Sequence, residues 1–221
     1  MMRPILGCCL VIICMMNISG CANTQPTHFY LLRAMETNES PSMDETKNSA
    51  LSLGLGPISL PKYLERPQIV TRISSHEIDL AEFHKWGAPL KDNLSNVLHE
   101  NLSRLLSTNR IVAYPWNRSH LPAYQLSLEV MQFDGTKNQE AILSVRWRLA
   151  GDDGKRMLQE KTSQFSEIIQ GSDYEDLVEA MSRMLATFSQ EIADAINARS
   201  PVSSLKSDFT RLVPAPTPAP R

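Results

Sequence analysis

Apolar and polar positions alternate with two different periods along this chain, and the change of period marks its elements. In "LSLGLGPISLP", Leu51, Leu53 and Leu55 alternate with Ser52 and Gly54, which is the two-residue period of a strand holding two glycines. "HFYLLRA" (28–34) reads as an earlier strand, "QIVTRI" as a later one, and "HEIDLAEF" as its hairpin partner. Between residues 86 and 110 the period becomes helical. Leu90, Leu94, Val97, Leu98, Leu102, Leu105 and Leu106 form one stripe, opposite Lys91, Asp92, Ser95, Asn96, Glu100 and Ser103, and Pro89 suits the first turn. "RIVAYP" predicts a strand directly afterwards, and Pro115 and Pro122 bracket a loop.

Three consecutive strands follow. Tyr124, Leu126, Leu128 and Val130 alternate with Gln125, Ser127 and Glu129, and Ala141, Leu143, Val145, Trp147 and Leu149 alternate with Ser144, Arg146 and Arg148. "GDDGK" predicts the turn into "RMLQEKTSQFSEII". A last helix is expected near Ser172, which has capping-box spacing to Glu175. Its apolar stripe is Leu177, Ala180, Met181, Met184, Leu185, Phe188, Ile192 and Ile196. Strands and helices are segregated, so the expected class is α+β: an antiparallel or mixed β-sheet packed by two main amphipathic helices. Residues 35–50 are polar and hold a proline, and are expected to form a mobile insert; residues 199–221, ending "PAPTPAPR", are expected to be a disordered proline-rich tail.

The first twenty residues follow a different rule. Arg3 is their only charge, and "PILGCCLVIICMM" is as long as the apolar core of an export signal, too short to span a bilayer, which takes roughly 20 apolar residues. The boundary Ile18-Ser19-Gly20-Cys21 resembles the bacterial lipobox. That resemblance implies a signal peptide at 1–20, acylation of Cys21 and a lipidated tether over 21–27. A simple cleaved signal with a chance cysteine is the alternative. Ala22 after the cysteine favours the outer membrane in enterobacterial-type sorting. A single acyl chain binds marginally, whereas several bind almost permanently. No later stretch is apolar enough to span, so the remainder is expected on the periplasmic face.

Composition narrows the chemistry. Cys8, Cys9 and Cys14 leave with the signal, so the mature body holds no thiol for a disulfide, a thiolate metal site or a nucleophile. The formal charge of −2 becomes −3 without Arg3, and this near balance argues against a nucleic-acid partner. No nucleophile elbow, zinc-protease helix or phosphate loop is present, and neither a catalytic residue nor a cofactor is expected. His76, Glu77, Asp79, Glu82 and His84 resemble a metal set only if the chain turns between them, and Asp152-Asp153 reads as a turn; no metal site is expected.

Residues 53–106 carry a more specific signal. "GPISLPKYLERPQIVTR", "FHKWGAPL" and "NVLHENLSRLL", preceded by "HFYLL" soon after the lipobox cysteine, resemble the PqiC/YmbA family of auxiliary lipoproteins of MCE-type ABC lipid-transport systems. The likeness is strong over 28–114 and looser to about residue 197, which implies one auxiliary domain over 28–198. It also implies a non-enzymatic outer-membrane subunit that docks a periplasm-spanning MCE (PqiB-like) tunnel protein, supports envelope integrity and forms a homo-oligomer. In "LPKYLERPQ" two prolines restrict a corner, with Tyr63 and Leu64 able to pack and Glu65 and Arg66 expected in solvent. Tyr63, Leu64, Arg66, Phe83, Trp86, Arg146 and Arg148 are the candidate docking residues; a structural turn, a core cap and a solvated sheet face are their plainer readings. The competing function is a periplasmic lipoprotein that hydrolyses or binds a small molecule.

Overall fold

The computed structural model describes residues 25–36, 51–117 and 120–199 of the 221-residue chain. The expected signal, Cys21, positions 37–50 of the insert and positions 200–221 of the tail lie outside the described residues.

The elements run β1 (His28–Tyr30), β2 (Leu53–Ser59), a 3-10 turn (Lys62–Leu64), β3 (Gln68–Arg72), β4 (Ile78–Trp86), α1 (Leu90–Leu105), β5 (Ile111–Ala113), β6 (Tyr124–Thr136), β7 (Glu140–Gly151), β8 (Arg156–Ile168) and α2 (Tyr174–Asn197). The architecture is α+β, with one eight-stranded mixed sheet and two helices. β6 is its spine. One edge of β6 pairs in parallel with β2 over Tyr124–Glu129 and with β3 at Gly135 and Thr136. Its other edge pairs antiparallel with β7, and β7 with β8. β3–β4 is the expected hairpin, β1 lies parallel to β4, and β5 lies parallel to β2. The first and fifth strands are shorter than their apolar runs suggest, at three residues each. β1 pairs only over His28–Tyr30 and then leaves the sheet, and Tyr114-Pro115 closes β5 because proline has no amide hydrogen to donate.

Each helix buries the stripe its spacing predicts. α1 lies against β2 and β5, α2 against β6, β7 and β8, and the two helices touch each other. Leu94, Leu98 and Leu102 of α1 and Met184, Phe188 and Ile192 of α2 are almost wholly buried, while Leu105 is only half-buried. At about 1.5–3 kcal/mol per fully buried large apolar side chain, these stripes outweigh the surface ion pairs. A polar tie crosses the helix interface. Asn101, fully buried, donates from Nδ2 to Ser189 Oγ at 3.1 Å and accepts from the Met35 amide at 2.8 Å. The α2 cap sits one residue later than the spacing suggests: Asp173 and Asp176 form the reciprocal box, with the Asp173 amide donating to Asp176 Oδ2 at 2.9 Å.

Gly54 is required by close approach. A Cβ there would stand 2.5 Å from Pro122 Cγ and 2.8 Å from Trp116, which the β5–β6 loop lays over β2.

Candidate functional site

The corner between β2 and β3 is held from beneath by a buried charge. Asp134 of β6 is fully buried and accepts three hydrogen bonds. Oδ1 takes Arg72 Nε at 2.9 Å and Gln132 Nε2 at 2.8 Å, and Oδ2 takes Tyr63 Oη at 2.7 Å. A carboxylate out of water survives only when it is paired and hydrogen-bonded, and all three partners meet that demand here. Burial, with the hydrogen bond to Asp134, pushes the Tyr63 phenol up to about 12. The separate hydrogen bond from Arg72 Nε to Asp134 raises the Arg72 guanidinium against the opposing effect of burial. Arg72 also lies 6.0 Å from the Tyr63 ring centroid. Arg72 ends a short strand and is not marked by sequence pattern; Asp134, which follows Phe133 and falls on the even, apolar phase of β6, is the one available signal.

The candidate residues fall into three settings. Tyr63 is half-buried and Leu64 is buried at the corner. Arg66 is half-buried rather than solvated, and its Nε is out of solvent with no hydrogen-bond partner among the described residues. Phe83 is half-buried in an irregular stretch of β4, where the register with β3 shifts. Trp86 is 6% exposed and belongs to the core, its amide donating to Pro67 O at 2.7 Å. Arg146 and Arg148 stand on the sheet face opposite buried Trp147. Arg146 pairs with Glu129 at 2.8 Å and Arg148 with Glu160 at 2.9 Å. With Pro57, Ser59, Ser127 and Leu128 they line a shallow depression of about 210 Å³. The open face is thus polar and charge-balanced, and reaches the corner through β2.

Two further clusters escaped sequence pattern. Trp147 Nε1 donates to Ser163 Oγ and to Glu191 Oε1, each at 3.1 Å; Ser163 Oγ donates to Glu191 Oε1 at 2.5 Å and Lys161 to Oε2 at 2.9 Å. Burial works to raise the Glu191 carboxyl, but the bonds from Ser163 and Lys161 prevail and hold it below its ordinary value. His84, which the metal reading paired with His76, stacks instead between His28 at 5.2 Å and Tyr174 at 4.1 Å, with Tyr30 Oη 2.7 Å from its Nδ1. Burial, and then the neighbouring His28 and Lys137, lower its pKa. Among the described residues no three His, Cys, Asp or Glu side chains could jointly hold a metal ion, and no helix is long and apolar enough to cross a membrane.

Residues 30–193 match the family model for the ABC-type transport auxiliary lipoprotein component. No curated protein matches the chain. Among solved structures, one described as an uncharacterized protein superposes with a TM-score of 0.64 at 21% identity, covering 78% of this chain and 99% of its own. Protein XCC0632 from Xanthomonas campestris superposes with a TM-score of 0.54 at 16% identity, covering 68% of this chain and 89% of its own. At such identities both likenesses speak for the fold alone.

Proposed function

Since the chain belongs to the family of ABC-type transport auxiliary lipoprotein components, we propose that it is the outer-membrane subunit of an MCE-type lipid-transport system, anchored through Cys21 and docking a periplasm-spanning tunnel protein. The family is one of envelope lipoproteins that assist transport, not one of enzymes. The observation that carries the reading is the extent of the match, from the last residue of β1 to the last turns of α2. Ala22 supports the outer membrane over inner-membrane retention.

The docking surface is the corner with the open sheet face beside it. Arg66 is partly exposed at the corner, and its Nε has no hydrogen-bond partner among the described residues. Arg146 and Arg148 present charges whose partners, Glu129 and Glu160, are themselves half-exposed. Exposed pairs of this kind contribute little to folding and can exchange partners at an interface. Tyr63 and Leu64 pack the corner onto the body, and Trp86 supports it from the core through its amide bond to Pro67 O, with Phe83 half-buried nearby on β4. A ring-forming partner makes a homo-oligomer of this subunit the matching geometry.

Crosslinking in cells followed by solubilisation tests the reading. The tunnel protein is expected to co-purify with the native chain, and the yield to fall with Arg66→Glu combined with Arg148→Glu. Absence of any such partner from crosslinked envelopes would overturn the docking role.

A further inference from the structure

One end of the sheet carries large apolar side chains that the described residues leave uncovered, and it is the end toward which residues 25–27 lead back from β1. Several contacts gather it. Thr71 and Arg72 pair with Gly135 and Thr136, so the β3–β4 turn lies beside the β6–β7 turn. Glu140 pairs with Ile168, and the Ile169 amide donates to Gln139 O at 3.0 Å, so β8 finishes there as well. Lys137 stands 4.0 Å over the Tyr174 ring, which stacks on His84, which stacks on His28. β1 runs parallel to β4, and β4 leads away from the β3–β4 turn; residues 25–27 therefore lie on the turn side of β1. The opposite end, with the β7–β8 turn, is a thirteen-residue strand away, roughly 40 Å at about 3.3 Å per residue.

Phe29 is 67% exposed, Ile73 59% and Ile168 74%, and Ile78 and Leu80 are about two-fifths exposed beside Ile73. Ile73, Ile78 and Leu80 share the β3–β4 hairpin, with Phe29 and Ile168 on the outlying strands β1 and β8 of the same end; exposed apolar groups concentrated at one end mark an interaction surface. Their surroundings mix Lys85 and Lys137 with Glu77, Asp79, Glu140 and Asp173, so no field of one sign selects a charged partner. Cys21 precedes His28 by seven residues, which span at most about 24 Å when extended. A bilayer holding the Cys21 acyl chains lies within that reach.

We propose that this end is the membrane-facing surface of the protein: Phe29, Ile73 and Ile168 insert into the interfacial zone of the bilayer and hold β6 upright, with the β7–β8 turn pointing into the periplasm. The proposal rests on the lipid-anchor reading given above. It assigns the bilayer a second contact that depends on side chains, not acyl chains, and that is apolar and hence insensitive to salt.

The mature sequence has no cysteine beyond Cys21, so single thiols can be placed at will. Ser74→Cys and Gln170→Cys report on this end and Lys155→Cys on the far one, all three positions being exposed. Each is labelled with a fluorophore in the full mature lipidated protein, on vesicles of phosphatidylcholine and phosphatidylethanolamine doped with a nitroxide-headgroup lipid. Quenching is expected to be several-fold stronger at positions 74 and 170 than at 155, and to persist at high salt. The triple variant Phe29→Ser, Ile73→Ser, Ile168→Ser is expected to bring the three positions close to equal while the protein still floats with the vesicles. Equal quenching in the native chain, or a triple variant that behaves like it, overturns the orientation while the anchor stands. An amino terminus free of fatty acid by mass spectrometry overturns the anchor reading and the orientation with it.

Discussion

Asp134 is the residue on which the candidate docking corner turns. It is the one fully buried carboxylate in the described ion pairs, and its bonds reach the corner through Tyr63 and β3 through Arg72. Arg72→Met removes the charge partner and leaves a buried carboxylate uncompensated, so it is expected to cost about 3 kcal/mol in denaturant unfolding. Tyr63→Phe removes one hydrogen bond to a charged acceptor and is expected to cost about 1.5–3 kcal/mol. Glu191 makes a different prediction. Its folded-state pKa lies below its ordinary 4.5, so the unfolded chain binds its proton first as pH falls. The stability it contributes is complete above pH 4.5 and is lost as pH drops through the folded value. Thermal unfolding followed across the acid range is expected to show a shallower decline for Glu191→Gln than for the native chain; parallel declines would remove Glu191 from the account.

At the scale of elements, spacing identifies the helices better than their ends. The seven-position stripe of α1 and the eight-position stripe of α2 face the core as predicted because a 3.6-residue period leaves only one way to bury them. The cap of α2 is one residue later than Ser172 because the Asp173 carboxylate accepts from the Asp176 amide while the Asp176 carboxylate accepts from the Asp173 amide. Asp173→Ala is therefore expected to cost about 1 kcal/mol in stability and Ser172→Ala close to none, measured by denaturant midpoints. The reverse order would restore the cap that sequence spacing suggests. β1 and β5 are shorter than their apolar runs because strand length depends on a partner strand, which lies far away in sequence.

Across the whole molecule, β6 separates two ends with different surfaces. One receives the amino-terminal chain and the uncovered Phe29, Ile73 and Ile168; the other carries the β7–β8 turn and the last residues of α2. The anchor makes its own prediction at this scale. Cys21→Ser is expected to leave the protein unlipidated and to move it out of the outer-membrane fraction into the soluble or unprocessed one. A processed Cys21→Ser chain that still fractionates with outer membranes at high salt would show that acylation is not what holds it there.

The α+β class, both amphipathic helices, the β3–β4 and β6–β7–β8 hairpins and the family likeness were legible in the chain alone, since periodicity and short turns are local. Trp147 against Arg146 and Arg148 was legible too, because alternation puts neighbours on opposite faces. Tertiary structure alone decided that β2 and β3 share one edge of β6, that Asp134 joins Tyr63 to Arg72, and that His28, His84 and Tyr174 form one stack. Those pairings span dozens of residues. No local pattern specifies them, because they are selected by the burial of charge and apolar surface once the whole sheet has packed against its helices.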